Sequence, residues 1–181
     1  MKKVYFLLLS LLFIAAISKN SDWNTVLLKS TNSTIKSKLK TFETQGIEKK
    51  VSNSAYSIAE VIETAKSFLG TPHVMGGTSK KGIDCSGLVQ KAHQSVNISL
   101  PHSSHEQARF GKVIPLQENL LPGDMVFFYN SYNSKNLITH SGIYLGDTQF
   151  IHTSSKRGVE ITSLNSTYWQ ERFLFGTRMH D

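Results

Sequence analysis

The chain contains one cysteine, Cys85, and its surroundings favour a reactive thiol. It lies near the end of a glycine-rich run, Gly76 to Gly87, and the apolar spacing that follows predicts a helix from Asp84–Ser86 to about Ser95. At a helix start, free backbone N–H groups and the positive end of the helix dipole lower the pKa of a thiol and can hold an oxyanion. A buried structural thiol is the commoner fate of a free cysteine, so the neighbouring residues must decide.

A thiolate nucleophile needs a base, and two histidines in predicted strands are available for that role. His140 begins the segment His-Ser-Gly-Ile-Tyr, and His152 ends the segment Phe-Ile-His. Either imidazole could take the thiol proton, and the other, in its neutral form, could orient it by accepting its second N–H. Cys85, His140 and His152 therefore make a complete set of nucleophile, base and orienting group.

The two neighbours of Cys85 are further candidates for the site. The carboxylate of Asp84 opposes a thiolate beside it, so we expect it to cap the helix or to face a cationic group of the substrate. Ser86 is a candidate for substrate binding or for the oxyanion site. There is no C-x-x-C or H-E-x-x-H spacing, and the sequence predicts neither a metal site nor another cofactor.

The predicted elements place helices first and strands after them, which is typical of an α+β fold. Ser57 and Glu60 form a capping-box pattern, so a helix is expected from Ser57 to a stop at Gly70. Another short helix is expected to begin at Ser103 or Ser104. One strand buried on both faces and four alternating strands are predicted at residues 125–129, 140–145, 149–154, 158–163 and 173–179.

Residues 1–18 have the pattern of a signal peptide, with two lysines, an apolar run and a small-x-small site before an expected cleavage after Ser18. The apolar run of fourteen residues would rise about 21 Å as a helix, against roughly 30 Å for a hydrocarbon core, which disfavours an uncleaved membrane anchor. Lipid attachment is excluded because the one cysteine, Cys85, lies far beyond this run. We therefore expect an exported chain without a stable membrane anchor.

Residues 19–55 have the composition of a flexible polar linker, since 22 of these 37 residues are Ser, Thr, Asn or Lys. Leu28, Ile35, Leu39 and Phe42 would nevertheless share one face of an amphipathic helix. The segment carries +4 of the formal charge of +7, whereas the predicted domain at residues 56–181 carries +1. A folded surface this close to neutral argues against nucleic acid as a partner.

Several motifs, in order along the chain, resemble one protein family. They are Gly76-Gly77, Asp84 to Val89, Leu100-Pro101 with Gln107, Pro122 to Phe128, His140 to Gly146, and Phe150 to His152. Over about residues 57–180 the chain resembles the NlpC family of bacterial cell-wall cysteine peptidases. The stretch from His140 through Tyr168-Trp169 is most similar to the murein endopeptidase (Spr) branch of that family.

The resemblance implies a papain-like α+β fold, with N-terminal helices packed on an antiparallel sheet. Cys85 would attack, His140 would act as the base and His152 would orient it. The implied function is hydrolysis of peptide bonds in peptidoglycan stem peptides or crosslinks, through a thioester acyl-enzyme, by an exported monomer of the periplasm or cell envelope. An acyltransferase or amidase on the same scaffold and an inactive wall-binding module stay open as alternatives, as does the choice of bond.

The resemblance also singles out two other histidines. His73 stands where the family has the Tyr of Tyr-x-Trp-Gly-Gly, and Met75 replaces the Trp, so His73 is expected near Cys85. His102 lies in a segment that borders the substrate cleft in the family, which makes it a candidate for substrate binding. His93 lies on the predicted helix after Cys85 and is expected at the surface.

The hairpin that carries the histidine pair has a register constraint. Opposed residues of an antiparallel pair share a face, so His140 and His152 reach the same side only if opposed positions sum to an even number. A regular two-residue or four-residue turn gives an odd sum and sends the rings to opposite faces. We therefore expect an odd-membered connection or a β-bulge, with Gly146 supplying a positive φ.

Overall fold

The computed structural model describes residues 22–51 and 56–179. Its helices are α1 (described over residues 22–29), α2 (Ser33–Thr44), α3 (Ile58–Lys66), α4 (Cys85–Gln94), α5 (Ser104–Gln107) and α6 (Thr167–Gln170). Its strands are β1 (Thr78–Ser79), β2 (Gly82–Ile83), β3 (Lys112–Ile114), β4 (Met125–Tyr129), β5 (Ile138–Gly146), β6 (Gln149–Ser154), β7 (Gly158–Ser163) and β8 (Phe173–Arg178). The predicted signal peptide, residues 1–18, lies outside the described residues. Within those two ranges, no helix has the length and apolarity needed to cross a membrane.

Six strands form one antiparallel sheet in the order β3-β8-β4-β5-β6-β7. The strands β1 and β2 form a separate short hairpin just before α4. Helices followed by an antiparallel sheet confirm the predicted α+β class. The short strand β3 and the single-turn helix α6 had no clear sequence signal.

The central strand β4 is buried on both faces, which explains its continuous apolar run. Met125 and Phe127 point into the core that lies between the sheet and the helices, which we call the helix-side core. Val126 and Phe128 point the other way, into a smaller apolar cluster that Trp169 of α6 covers, which we call the α6-side cluster. The sheet is therefore the middle layer of the molecule at this strand.

Local capping places the two long helices of the domain where the sequence predicts them. The Ser57 hydroxyl accepts a hydrogen bond from the N–H of Glu60 at 3.2 Å and starts α3. Asp84 Oδ1 accepts from the N–H of Gly87 at 2.7 Å and starts α4, so that Cys85 is the first helical residue. The apolar stripe of α4 is fully buried and anchors that helix on the sheet.

The expectation that His93 lies at the surface is wrong. Its side chain on α4 is completely buried, with Nδ1 2.9 Å from the carbonyl of Val89 and Nε2 3.3 Å from the hydroxyl of Tyr56. Burial lowers the pKa of His93 to about 4. The ring is therefore neutral at pH 7, donating to Val89 through Nδ1 and accepting from Tyr56 through Nε2.

The prediction of a flexible linker over residues 19–55 is wrong for the described part of that range. Trp23 of α1, together with Leu39 and Phe42 of α2, is buried in the helix-side core. Arg109 fastens α2 to the domain, because its guanidinium donates to the carbonyls of Phe42 and Gly46, at 2.9 Å each, and lies over the ring of Phe42. Composition favoured a linker because a few well-spaced apolar residues carry the packing while the polar majority faces solvent.

The β5–β6 hairpin confirms the register argument. Opposed residues such as Tyr144 and Phe150 sum to an even number, and a β-bulge between Tyr144 and Gly146 precedes a two-residue turn. Gly146 has the expected positive φ, at 100°. The bulge adds the residue that a two-residue turn needs to place His140 and His152 on the same face.

Candidate active site

One cavity of about 480 Å³ contains every site residue predicted from the sequence. Its lining includes Cys85, His140 and His152, together with His73, Asp84, Ser86 and His102. Three exposed large hydrophobic side chains lie at its rim: Met75, Tyr132 and Tyr168. Across residues 22–51 and 56–179, no group of three or more His, Cys, Asp or Glu side chains has an arrangement that could hold a metal ion.

The thiol of Cys85 sits among hydroxyl and backbone groups at the start of α4. Its Sγ lies 3.5 Å from the Ser104 hydroxyl, and the backbone N–H groups of Ser86 and Ser141 donate to it. In the described part of the chain, no hydrogen bond joins Sγ to His140. The cysteine is thus held by α4, α5 and β5, while the imidazole of His140 lines the same cavity.

The thiol is the resting form of Cys85 in this structure, and the prediction of a lowered pKa is wrong for this state. Burial raises the pKa of Cys85, and the carboxylate of Asp84 acts in the same direction. The backbone N–H groups of Ser141 and Ser86, which donate to the sulfur, act against burial but do not outweigh it. The helix start alone does not decide the charge, because desolvation of the sulfur is the larger effect.

Gln107 fixes the orientation of a short chain of hydroxyl groups beside the thiol. Its amide Nε2 donates to two carbonyl oxygens, Ser86 O at 2.8 Å and Pro101 O at 2.9 Å. The amide oxygen is therefore the acceptor, and the Ser141 hydroxyl donates to it at 3.3 Å. Gln107 is fully buried, so no water competes for these groups.

The direction of the hydrogen bonds between these hydroxyl groups decides whether Ser104 donates to the Cys85 thiol or accepts from it. The single proton of the Ser141 hydroxyl is used on Gln107, so Ser104 must be the donor in the 2.8 Å contact between the two serines. The Ser104 oxygen is then left as an acceptor, and the Cys85 S–H donates to it. The hydroxyl chain therefore stabilises the neutral thiol until a base removes the proton.

The histidine pair forms a single buried unit. His140 Nε2 lies 3.0 Å from His152 Nδ1, and the rings meet at 78°. Trp169 stacks on His140 with ring centroids 5.0 Å apart and meets His152 edge-on at 4.9 Å. Burial lowers the pKa of both imidazoles, that of His152 to about 4, and the nearby His152 and His73 lower that of His140 further. Both rings are therefore neutral at pH 7.

The second ring nitrogen of His140 is the one that can act as a base. Its Nδ1 has no hydrogen-bond partner among the residues that the structure describes, whereas Nε2 is engaged by His152. His140 and Cys85 line the same cavity. A neutral imidazole with one bound and one open nitrogen is what proton abstraction from a neighbouring thiol requires.

Asp84 serves as the helix cap, the first of its two expected roles. Burial alone would raise the pKa of Asp84, but hydrogen bonds from the N–H of Gly87, from His102, from Ser86 and from the N–H of Gly76 hold it below its usual value. His102 Nε2 lies 2.9 Å from Asp84 Oδ1. His102 is thus a partner of the cap as well as part of the cavity wall.

Other residues of the site carried no distinct sequence signal. Ser104 was identified only as a possible helix start, yet its hydroxyl is the side-chain partner of the Cys85 thiol. Tyr132, half exposed on the rim, lies in the connection between β4 and β5, where no periodicity marks a residue. Their roles depend on contacts between elements distant in the sequence.

A cysteine at the start of the central helix, sharing a cavity with paired histidines on an antiparallel sheet, defines a cysteine-peptidase type of domain. The model of the NlpC/P60 family matches residues 70–178, and the chain belongs to this family. The predicted resemblance is therefore confirmed.

Curated relatives support this membership. A probable endopeptidase of Haemophilus influenzae is 39% identical over 118 residues, which are 65% of this chain and 71% of that protein. The murein DD-endopeptidase MepS/murein LD-carboxypeptidase of Escherichia coli K12 is 37% identical over 116 residues, 64% of this chain and 59% of that protein. The chain thus spans less than two thirds of the Escherichia coli relative.

Solved structures agree with the fold. An NlpC/P60 family protein from Bacillus cereus has a TM-score of 0.61 at 34% identity, covering 69% of this chain and 41% of that one. The NlpC/p60 domain of the peptidoglycan hydrolase SagA has a TM-score of 0.57 at 26% identity, covering 68% of this chain and all of that domain.

Proposed function

We propose that the protein is a cysteine peptidase that hydrolyses peptide bonds in the stem peptides or crosslinks of peptidoglycan. The observation that carries the proposal is the shared cavity of Cys85, at the start of α4, and the coupled pair His140 and His152. The names of the relatives, among them a murein DD-endopeptidase, support this class of substrate. The protein would act as a monomer in the periplasm or cell envelope, where that polymer lies.

Catalysis would start from a neutral thiol and a neutral imidazole. His140 Nδ1 takes the proton from the Cys85 S–H as the sulfur bonds to the scissile carbonyl carbon, and the carbonyl oxygen becomes an oxyanion. The N–H groups of Ser86 and Ser141, which now donate to Sγ, are the nearest backbone donors to the reacting atoms. Desolvated donors of this kind stabilise developing negative charge strongly.

The collapse of the intermediate would return the proton to the leaving group. His140 gives its proton to the amine nitrogen as the C–N bond breaks, which leaves a thioester on Cys85. Water then attacks the thioester with His140 as base. The C–S bond breaks, the carboxylic acid is released, and the thiolate takes the proton from His140. Throughout, His152 accepts the Nε2–H of His140 and so favours the imidazolium that forms in each step.

The rim of the cavity suits a peptide. Met75 is 72% exposed, Tyr132 50% and Tyr168 45%, so apolar and aromatic walls surround a polar floor. Such walls can cover the aliphatic parts of a stem peptide while the floor meets its amide and carboxylate groups.

Digestion of purified peptidoglycan tests the proposal. The wild-type protein should release soluble fragments whose new termini, identified by mass spectrometry, show which bond is cut and whether water or an amine takes the acyl group. Cys85→Ala should abolish release while its circular dichroism spectrum and unfolding midpoint stay unchanged, because only the sulfur supplies the covalent step. Release by Cys85→Ala at the wild-type rate would disprove the cysteine-peptidase assignment.

A further inference from the structure

The histidine pair continues to a third strand. His152 of β6 lies directly opposite Glu160 of β7. The outer nitrogen of His152, Nε2, is 3.2 Å from the hydroxyl of Thr162 and 3.7 Å from Oε1 of Glu160. Neither Glu160 nor Thr162 belongs to the cavity lining, so both lie behind the catalytic pair as seen from the substrate.

Two hydrogen-bond arrangements fit these distances equally well. In the productive arrangement, His152 donates from Nε2 and accepts at Nδ1 from His140 Nε2–H, which leaves His140 Nδ1 as a lone pair. In the reverse arrangement, the Thr162 hydroxyl donates to His152 Nε2, His152 donates from Nδ1, and the proton of His140 sits on Nδ1. The reverse arrangement blocks the only nitrogen that can take the proton of Cys85.

The Thr162 hydroxyl favours neither arrangement, because it can donate or accept a hydrogen bond. Glu160 favours the productive arrangement, because an ionised carboxylate only accepts hydrogen bonds and repels a nitrogen lone pair that faces it. Hydrogen bonds from Arg157 hold the pKa of Glu160 below its usual value, so the side chain is ionised at neutral pH. Arg157 Nη2 donates at 2.8 Å to the same Oε1 that lies near His152, which fixes this oxygen in place.

We propose that Glu160 is a positioning residue that fixes the tautomers of His152 and His140, so that His140 Nδ1 is kept free to take the proton of Cys85. The inference rests on the proposed function for its kinetic consequence. Glu160 touches neither the substrate cavity nor the sulfur and acts only through the two rings. Glu160 can fix the tautomers only because both rings are neutral at rest, since burial lowers the pKa of each imidazole.

The kinetic test is Glu160→Gln, which keeps the shape of the side chain and removes its charge. The kcat for peptidoglycan fragments should fall roughly 10-fold, the low end of the cost of losing an outer partner of a functional imidazole, with KM unchanged. Glu171→Gln is the matched control, because Glu171 is also an arginine-paired carboxylate but lies outside the site. Thr162→Val should cost less than Glu160→Gln.

Nuclear magnetic resonance of the imidazole nitrogens tests the tautomers without any assay of activity. Long-range proton–nitrogen spectra of the full chain should show unprotonated Nδ1 and protonated Nε2 in both His140 and His152. In Glu160→Gln, the reverse tautomers should appear in part. A structural role in holding β7 would not change these populations.

Three results would overturn the inference: a protonated His140 Nδ1 in the wild type, unchanged tautomers in Glu160→Gln, or a larger loss of kcat in Thr162→Val than in Glu160→Gln. A wild-type protein that leaves peptidoglycan intact would contradict the proposed function alone, since the tautomer spectra would still decide the role of Glu160.

Discussion

Gln107→Glu is the substitution that most directly tests the hydroxyl chain beside the Cys85 thiol. It exchanges the amide Nε2 for an oxygen and leaves the size of the side chain almost unchanged. The amide nitrogen donates to Ser86 O and Pro101 O, so the variant presents an oxygen to two carbonyl oxygens. The bond from Ser141 is retained, because a carboxylate also accepts.

The expected loss of stability follows from the two carbonyls left without a donor. Gln107 is completely buried, and each unsatisfied buried group costs about 1–3 kcal/mol, or roughly 2–6 kcal/mol for both. For a chain of this size the lower figure already lowers Tm by about 4 °C. The start of α4 and the segment before α5 are the two parts that Gln107 joins, so kcat should fall as well.

The loss of stability in Gln107→Glu should increase as the pH rises. The introduced carboxyl lies among carbonyl oxygens, and this raises its pKa in the folded state above the unfolded value of about 4.3. The protonated carboxyl can donate a hydrogen bond to one of the two carbonyls. The loss in free energy of unfolding relative to wild type should therefore be small at acid pH and should grow as pH rises through the pKa of the folded state. Urea unfolding at pH 5 and pH 8 measures this difference.

A matched control separates charge from burial. Gln149→Glu makes the same chemical change at an exposed position and should leave the free energy of unfolding within about 0.5 kcal/mol of wild type. If Gln107→Glu is as stable as wild type at pH 8, the amide nitrogen of Gln107 does not carry the two hydrogen bonds, and the derived direction of the hydroxyl chain is wrong.

Two further predictions concern pH. Trp169→Leu should admit water to His140 and raise its pKa, so the acid limb of kcat/KM should move to higher pH. An unmoved limb would mean that Trp169 does not set this pKa. His93 has a pKa lowered from 6.5 to about 4, so the stability present above pH 6.5 should fall by about 3 kcal/mol as pH drops to 4. Urea unfolding between these pH values measures the loss, and a titration midpoint of His93 near 6.5 would contradict the argument.

The parts of the fold that could be predicted are those with local signals. The cap at Ser57, the helix start at Cys85 and the alternation in β5 and β6 depend on neighbouring residues, and the structure confirms them. The packing of α1 and α2 could not be predicted, because Trp23 and Phe42 find their partners far along the chain. Composition averages over such contacts and therefore pointed to a linker.

In the candidate site, too, features with local sequence signals could be predicted and features that depend on distant contacts could not. The residue types at Cys85, His140 and His152 led to the roles proposed for them, and the parity of the hairpin was enough to place both rings on one face. The direction of the thiol pKa could not be predicted, since it depends on the balance between desolvation of the sulfur and its hydrogen bonds in the folded chain. Glu160 was also missed, because only strand pairing reveals that it opposes His152.

The contact between α1 and β8 also has a consequence for how the chain folds. The rings of Trp23 and Phe175 meet edge-on at 5.3 Å although they are more than 150 residues apart in the sequence. Closing so long a loop carries an entropic cost that is recovered only when both ends are present. A chain that emerges from the ribosome N-terminus first therefore cannot complete its core until β8 has been synthesised. Until then, the apolar side of α1 lacks the contact with Phe175.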